Sequence, residues 1–254
     1  MKSETLTLIR MDLRKLWRRR GLMSIALLVA VGSVSIIFIV TAARHGANPQ
    51  HVRPAGGLRS FQDATDFLGM IAVVVAAMIG VTASAGETEL GVLRDLIATG
   101  RSRVALFASR AAAAVFMTTA IMSAALVVTA ACAIVLAGSA SAPSLSEIAH
   151  RDAAVLAFAA SCAVVSAGVA TFTRSRGPVM ASIIAFGVLI TQLLLQITFL
   201  GSVRALLPLA SFERMAGDTI SGLHVSLAAA IAVTVGWALG AVMAAGWWTR
   251  RVEV

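Results

Sequence analysis

The sequence predicts an all-α membrane protein with six transmembrane helices, and three observations predict it. Of its 254 residues, 59% are hydrophobic and only 13% charged, against about 25% charged in an ordinary soluble domain; mean hydropathy is +0.90. Six apolar runs are each long enough to cross about 30 Å of hydrocarbon at about 1.5 Å per residue. The charged residues gather in the connections between these runs.

Residues 3–20 come first. Leu6, Ile9, Leu13, Leu16 and Trp17 share one helical face and Arg10, Arg14 and Arg18 another, the pattern of an amphipathic helix lying in the membrane interface with basic residues against anionic lipid. Residues 22–43 form the first span. Pro49, Pro54 and Gly56-Gly57 mark residues 44–66 as a loop, and the second span covers 67–85. A charged stretch, 86–103, separates it from the third span, 104–136. Arg110 lies one to two turns inside that third helix, where its long stem lets it snorkel back to the surface. A polar connection, 138–152, leads to the fourth span, 153–173. Residues 173–177 make a tight turn, and Pro178 suits the first turn of the fifth span, 178–200. Residues 201–224 are too broken to span; Leu206, Leu207, Leu209, Phe212 and Met215 predict a short re-entrant or surface helix. The sixth span, 225–249, ends in Trp247-Trp248 and Arg250-Arg251, an aromatic and basic anchor.

An even number of spans puts both termini on one side. Fifteen of the twenty-one Lys and Arg residues fall on that side, and only Arg44, Arg53, Arg59, Arg151, Arg204 and Arg214 on the other. The positive-inside rule makes the terminal side cytoplasmic. On the outer side Asp63, Asp66, Glu147, Asp152, Glu213 and Asp218 cancel the six arginines, so the formal charge of +9 resides at the cytoplasmic face. The basic balance is therefore topology, and no nucleic-acid partner is expected.

Several kinds of chemistry lack their residues. Every Asp and Glu lies at a span boundary or beyond it, which disfavours an ion-driven transporter. No phosphate-binding Gly-x-x-x-x-Gly-Lys-Ser/Thr loop occurs, so no nucleotide site, cofactor or enzyme activity is expected in the chain itself. Gly138-Ser139-Ala140-Ser141 departs from an intramembrane serine-protease motif and falls in a loop. His45, His51, His150 and His224 are scattered over outer connections, and Cys132 and Cys162 sit in apolar spans, where packing is their ordinary role; no metal site is expected. Gln192 and Gln196, at i and i+4 on the fifth helix, are candidates either for a translocation path or for an interhelical hydrogen bond. Gly236 and Gly240 give the sixth helix a small-xxx-small face.

Residues 86–103, GETELGVLRDLIATGRSR, remain. Burying Glu87, Glu89, Arg94, Asp95, Arg101 and Arg103 at roughly 2.5–3.5 kcal/mol each excludes a span. Leu90, Leu93, Leu96 and Ile97 recur at helical spacing, and Gly100 fits a left-handed C-cap. The pattern Glu87-x-x-x-Gly91-x-Leu93-Arg94-x-Leu96, followed by Thr99-Gly100-x-Ser102-Arg103 and a long third helix, resembles the cytoplasmic loop of ABC-2-type (type V exporter fold) permease subunits. An N-terminal interfacial helix, six spans and a semi-apolar outer segment before the last span resemble that family too. The resemblance implies an ABC exporter permease in a bacterial inner membrane, working as a homodimer or as a heterodimer with a second permease. It implies a separate ABC ATP-binding subunit as partner, with ATP-Mg held there. Glu87, Gly91, Leu93, Arg94 and Leu96 are then the coupling residues. The alternative is a non-transport membrane scaffold or accessory subunit whose charged helix binds a cytoplasmic partner.

Overall fold

The computed structural model describes residues 2–89, 103–173, 175–220 and 222–251. Among them there are only helices and their connections. α1 covers Lys2–Arg18. Arg19 leaves helical geometry (φ −81°, ψ 64°), and α2 follows at Arg20–Ala47 with a π-helical turn at Leu28–Gly32. Then come α3 (Leu58–Glu89), α4 (Arg103–Val135), α5 (Leu145–Val169), α6 (Arg176–Gln196) and a short α7 (Pro208–Ala216), and finally α8 (Leu227–Arg251). All but α1 and α7 contain a stretch long and apolar enough to cross a membrane, six in all.

Four boundaries differ from the sequence prediction, three of them for one physical reason. α2 continues four residues past Ala43, and α3 begins at Leu58, inside the predicted loop and nine residues before Phe67. α5 begins at Leu145, where Ser144 caps the helix by accepting from the Glu147 backbone N–H at 3.2 Å. Hydropathy reports where a bilayer would end, whereas backbone hydrogen bonding reports where a helix ends, and polar residues such as Asp63, Asp66 and Glu147 prolong helices beyond the apolar run. α6, in contrast, stops early at Gln196, because Ile197 turns extended (φ −82°, ψ 94°). A 3₁₀ segment, Thr198–Leu206, kinks at Gly201 (φ +51°).

α3 is the central helix, packed against α4, α5 and α6, with 72% of its apolar window buried; the corresponding share is 11% in α8. Its small residues permit this. A Cβ on Gly69 would lie 2.2 Å from the Phe212 ring, and one on Gly80 2.8 Å from Ser166. Leu68, Phe61, Phe158, Phe212, Met122 and Leu126 form the fully buried interior. α7 is no surface helix: Leu209, Ala210, Phe212, Met215 and Ala216 are buried, and the Phe212 ring lies 5.0 Å from that of Phe158 on α5. Pro208 starts this helix and Gly217 (φ +97°) ends it. With lipid-like surroundings, close packing and satisfied polar groups hold such a bundle together more than water exclusion does.

The connection before α3 closes the end of α4. Gly56 and Gly57 donate backbone N–H groups to the carbonyls of Leu136 (2.9 Å) and Ala133 (2.7 Å), and Leu58 donates to Ser141 (2.7 Å). A Cβ at Gly56 would sit 2.3 Å from the Leu136 carbonyl carbon, so the glycine that marks a loop in the sequence is here a seat for another backbone.

Candidate functional site

The predicted coupling stretch joins α3 to α4. Residues 86–89, Glu87 among them, continue α3 without a break. Gly91, Leu93, Arg94, Leu96 and Gly100 lie outside the described residues. The frame around that connection is described. α1 packs on α4. Leu16 is buried and Leu13 leans on the core, whereas Leu6 and Trp17 at either end of the predicted apolar face are exposed. Ser109 Oγ of α4 donates to Asp12 Oδ2 of α1 at 2.7 Å. Arg110 is 7% exposed and does not snorkel to the surface. It lines a cavity of about 10 Å³ with Asp12, Lys15, Leu16, Arg19, Thr82 and Ala83, where α1 covers it. Burial pulls the Lys15 ammonium below its ordinary pKa; Arg110, Arg19 and Arg176 push it the same way, and Asp12 opposes them. Positive charge from α1, α4 and α6 thus converges beside the ends of the helices that carry the predicted loop.

The two glutamines part company. Gln192 is half-buried and its Nε2 donates to Met70 Sδ of α3 at 3.5 Å, a contact between helices. Gln196 is exposed on the last turn of α6. On the same helix Thr191, just before Gln192, and Leu195, just before Gln196, are buried.

At the opposite end of the bundle lies a constellation that the sequence did not disclose. Arg151, assigned to an outer loop by hydropathy, sits on α5 and is 2% exposed. Its Nη1 contacts Asp66 Oδ1 of α3 at 2.9 Å, its Nη2 contacts Asp218 Oδ1 at 2.9 Å, and its Nε contacts Glu147 Oε1 one turn earlier at 3.3 Å. Gln62 donates to the same Glu147 oxygen at 3.2 Å. The planar fork of a guanidinium suits this placing of three carboxylates, which lysine does not reproduce. Nearby, burial raises the Glu213 carboxyl pKa, and the charge of Asp218 adds to the rise. Two more arginines act as fasteners. Arg204, 4% exposed, donates to the carbonyls of Leu195 (3.0 Å), Gly201 (3.1 Å) and Gly222 (3.4 Å), and Arg214 Nε donates to the Val225 carbonyl at 2.7 Å. Arg53 and Asp63 form a further, exposed pair. The available signal was Glu147 and Arg151 at i and i+4 beside an acid-rich helix start, which reads equally well as a solvated loop.

Chemically, this constellation is a clamp: it satisfies one buried cation with carboxylates from three chain segments. His45 Nδ1 lies 2.6 Å from the Val52 carbonyl oxygen and His51 Nδ1 3.1 Å from Asn48 Oδ1, and among the described residues no group of three His, Cys, Asp or Glu is placed to hold a metal ion. No protein-family model matches this chain, and no curated protein matches it.

Proposed function

We propose that the chain is the permease subunit of an ATP-driven exporter of the ABC-2 type, paired with a second permease and driven by separate ATP-binding subunits that carry ATP-Mg. The observation that carries this reading is the Glu87-x-x-x-Gly91-x-Leu93-Arg94-x-Leu96 pattern between the second and third of six membrane-length helices. A membrane bundle with no nucleotide loop in its sequence needs an external source of energy, and a charged helix between two spans is a way to receive it. In this reading the membrane is a bacterial inner membrane, both termini and the loop are cytoplasmic, and Glu87 and Arg94 seat in a cleft on the ATPase. Leu90, Leu93 and Ile97 key the loop to the bundle. ATP-driven closure of the two ATPases then presses the two loops together and repacks α3 against α4. Gln192, half-buried against Met70, and Gln196, exposed on α6, are the candidates for the translocation path.

The test is a mild-detergent pull-down of tagged protein from its native membrane, compared with the Glu87→Ala/Arg94→Glu variant. Recovery of an ATP-hydrolysing partner with the wild type and its loss with the variant are expected. Absence of such a partner from both samples, with the bundle intact, favours a membrane scaffold. Arg94→Glu alone should abolish ATP-dependent transport while leaving membrane insertion unchanged; normal transport by that variant overturns the coupling role.

A further inference from the structure

A cavity of about 250 Å³ lies between α5, α6, α7 and α8, with Val73 of α3 also in its wall and none of the clamp residues in its lining. Close helix contacts bound it. Gly187 of α6 brings that helix so near α3 that a Cβ would lie 2.5 Å from Val73 Cγ1, and Gly168 of α5 seats Ala241 of α8 with a Cβ distance of 3.1 Å. Pro208 and Leu209, at the start of α7, complete the lining on another side. Phe186 of α6 and Trp237 of α8, with ring centroids 6.3 Å apart, flank the remaining side; both are more than a third exposed. Trp237 is held there by donating its indole N–H to the Leu206 carbonyl at 2.9 Å.

The cavity is built into the backbone. Residues Ala185–Ile190 of α6 form a π-helical turn, a wide turn that is uncommon and recurs at functional sites. The Thr191 hydroxyl lies 2.6 Å from the Phe186 carbonyl oxygen and 2.7 Å from that of Gly187, partnering this stretch of backbone. No charged side chain lines the space. Ser161 spends its hydroxyl on the Thr234 carbonyl, and Ser166 Oγ is buried with no partner among the described residues. Such a lining is a poor host for ordered water, which needs two or more polar partners, and it rejects any ionic group. The lining residues of α5, α6 and α8 belong to three of the membrane-length helices, so the medium at the mouth is hydrocarbon.

We infer that this cavity is a binding site for one acyl chain of a bilayer lipid, entered sideways between α6 and α8 past Phe186 and Trp237. The chain lies along α5 and α6 while its headgroup stays outside, because nothing in the lining pairs with charge.

The test uses the full-length protein in phosphatidylcholine vesicles containing a phosphatidylcholine with a mid-chain diazirine, irradiated and mapped by mass spectrometry. Adducts should concentrate on residues 158–169 and 182–191 rather than on the exposed α2 face at Ile36 and Ile39. Val165→Trp fills the interior and should lower cavity labelling by about tenfold, equivalent to about 1.4 kcal/mol, with α2 labelling unchanged. Ser182→Phe, at an already exposed position, blocks the mouth and serves if the first variant fails to fold. Equal labelling of cavity and α2 faces in the wild type, or cavity labelling that survives both substitutions, would overturn the inference.

Discussion

The two ends of the bundle solve the problem of charge in opposite ways. Where Arg151, Asp66, Glu147 and Asp218 meet, opposite charges are interlocked and the guanidinium is buried. Where α1 meets α4, cationic side chains gather from three helices, and a Ser109–Asp12 hydrogen bond ties the surfaces. One end is closed upon itself. The other brings cationic side chains of several helices together beside the helix termini that carry the predicted coupling loop.

Removing the clamp should do the greatest damage. Arg151→Met leaves three carboxylates facing one another, and Arg151→Lys cannot span them; a loss of about 3–5 kcal/mol, the usual result of breaking a buried charge pair, should show as a large fall in thermal stability in detergent. If Arg151→Met melts like the wild type, the interlocked end contributes nothing and the contrast fails. Gly56→Ala comes next. Its methyl group would overlap the Leu136 backbone rather than a yielding side chain, and a loss of about 1–3 kcal/mol is expected, read in the same melt. At the other end Ser109→Ala should cost about 1 kcal/mol, with faster hydrogen exchange confined to α1; exchange spreading over the whole bundle would mean that α1 is as integral as the clamp. The smallest effect belongs to Gly236→Leu on the open face of α8, where a Cβ meets nothing within 4 Å. Stability of the single chain should change by no more than about 0.5 kcal/mol, so a fall in cross-linked dimer in the membrane would identify this face as a subunit seam.

The helical class and the six long apolar segments were legible in the sequence because hydropathy is a property of each segment alone. Helix ends were less so, since residues such as Asp63 and Glu147 look like loop by polarity yet continue a helix. Arg151 was the largest omission: its neighbours Asp66 and Asp218 are 85 and 67 residues away in sequence, and counting charges per side gives their sum without their pairing. The segment around Phe212 showed its apolar residues plainly, but the glycine that admits it, Gly69, sits on another helix with nothing in sequence to connect them. The loop residues Gly91, Leu93, Arg94 and Leu96 still rest on their pattern, and Glu87 gains from the structure only its place in a helix.

The clamp also bears on how the protein is made. Its acids come from the second span, the fourth span and the link after α7, so a chain emerging from the ribosome can supply Asp66 before Arg151 is synthesised, but Asp218 only much later. Until the fifth span is inserted and the following segment folds back, the guanidinium has an incomplete set of partners. A chain truncated before Asp218 should therefore leave Arg151 with Asp66 and Glu147 alone, and melt at a lower temperature than the full chain.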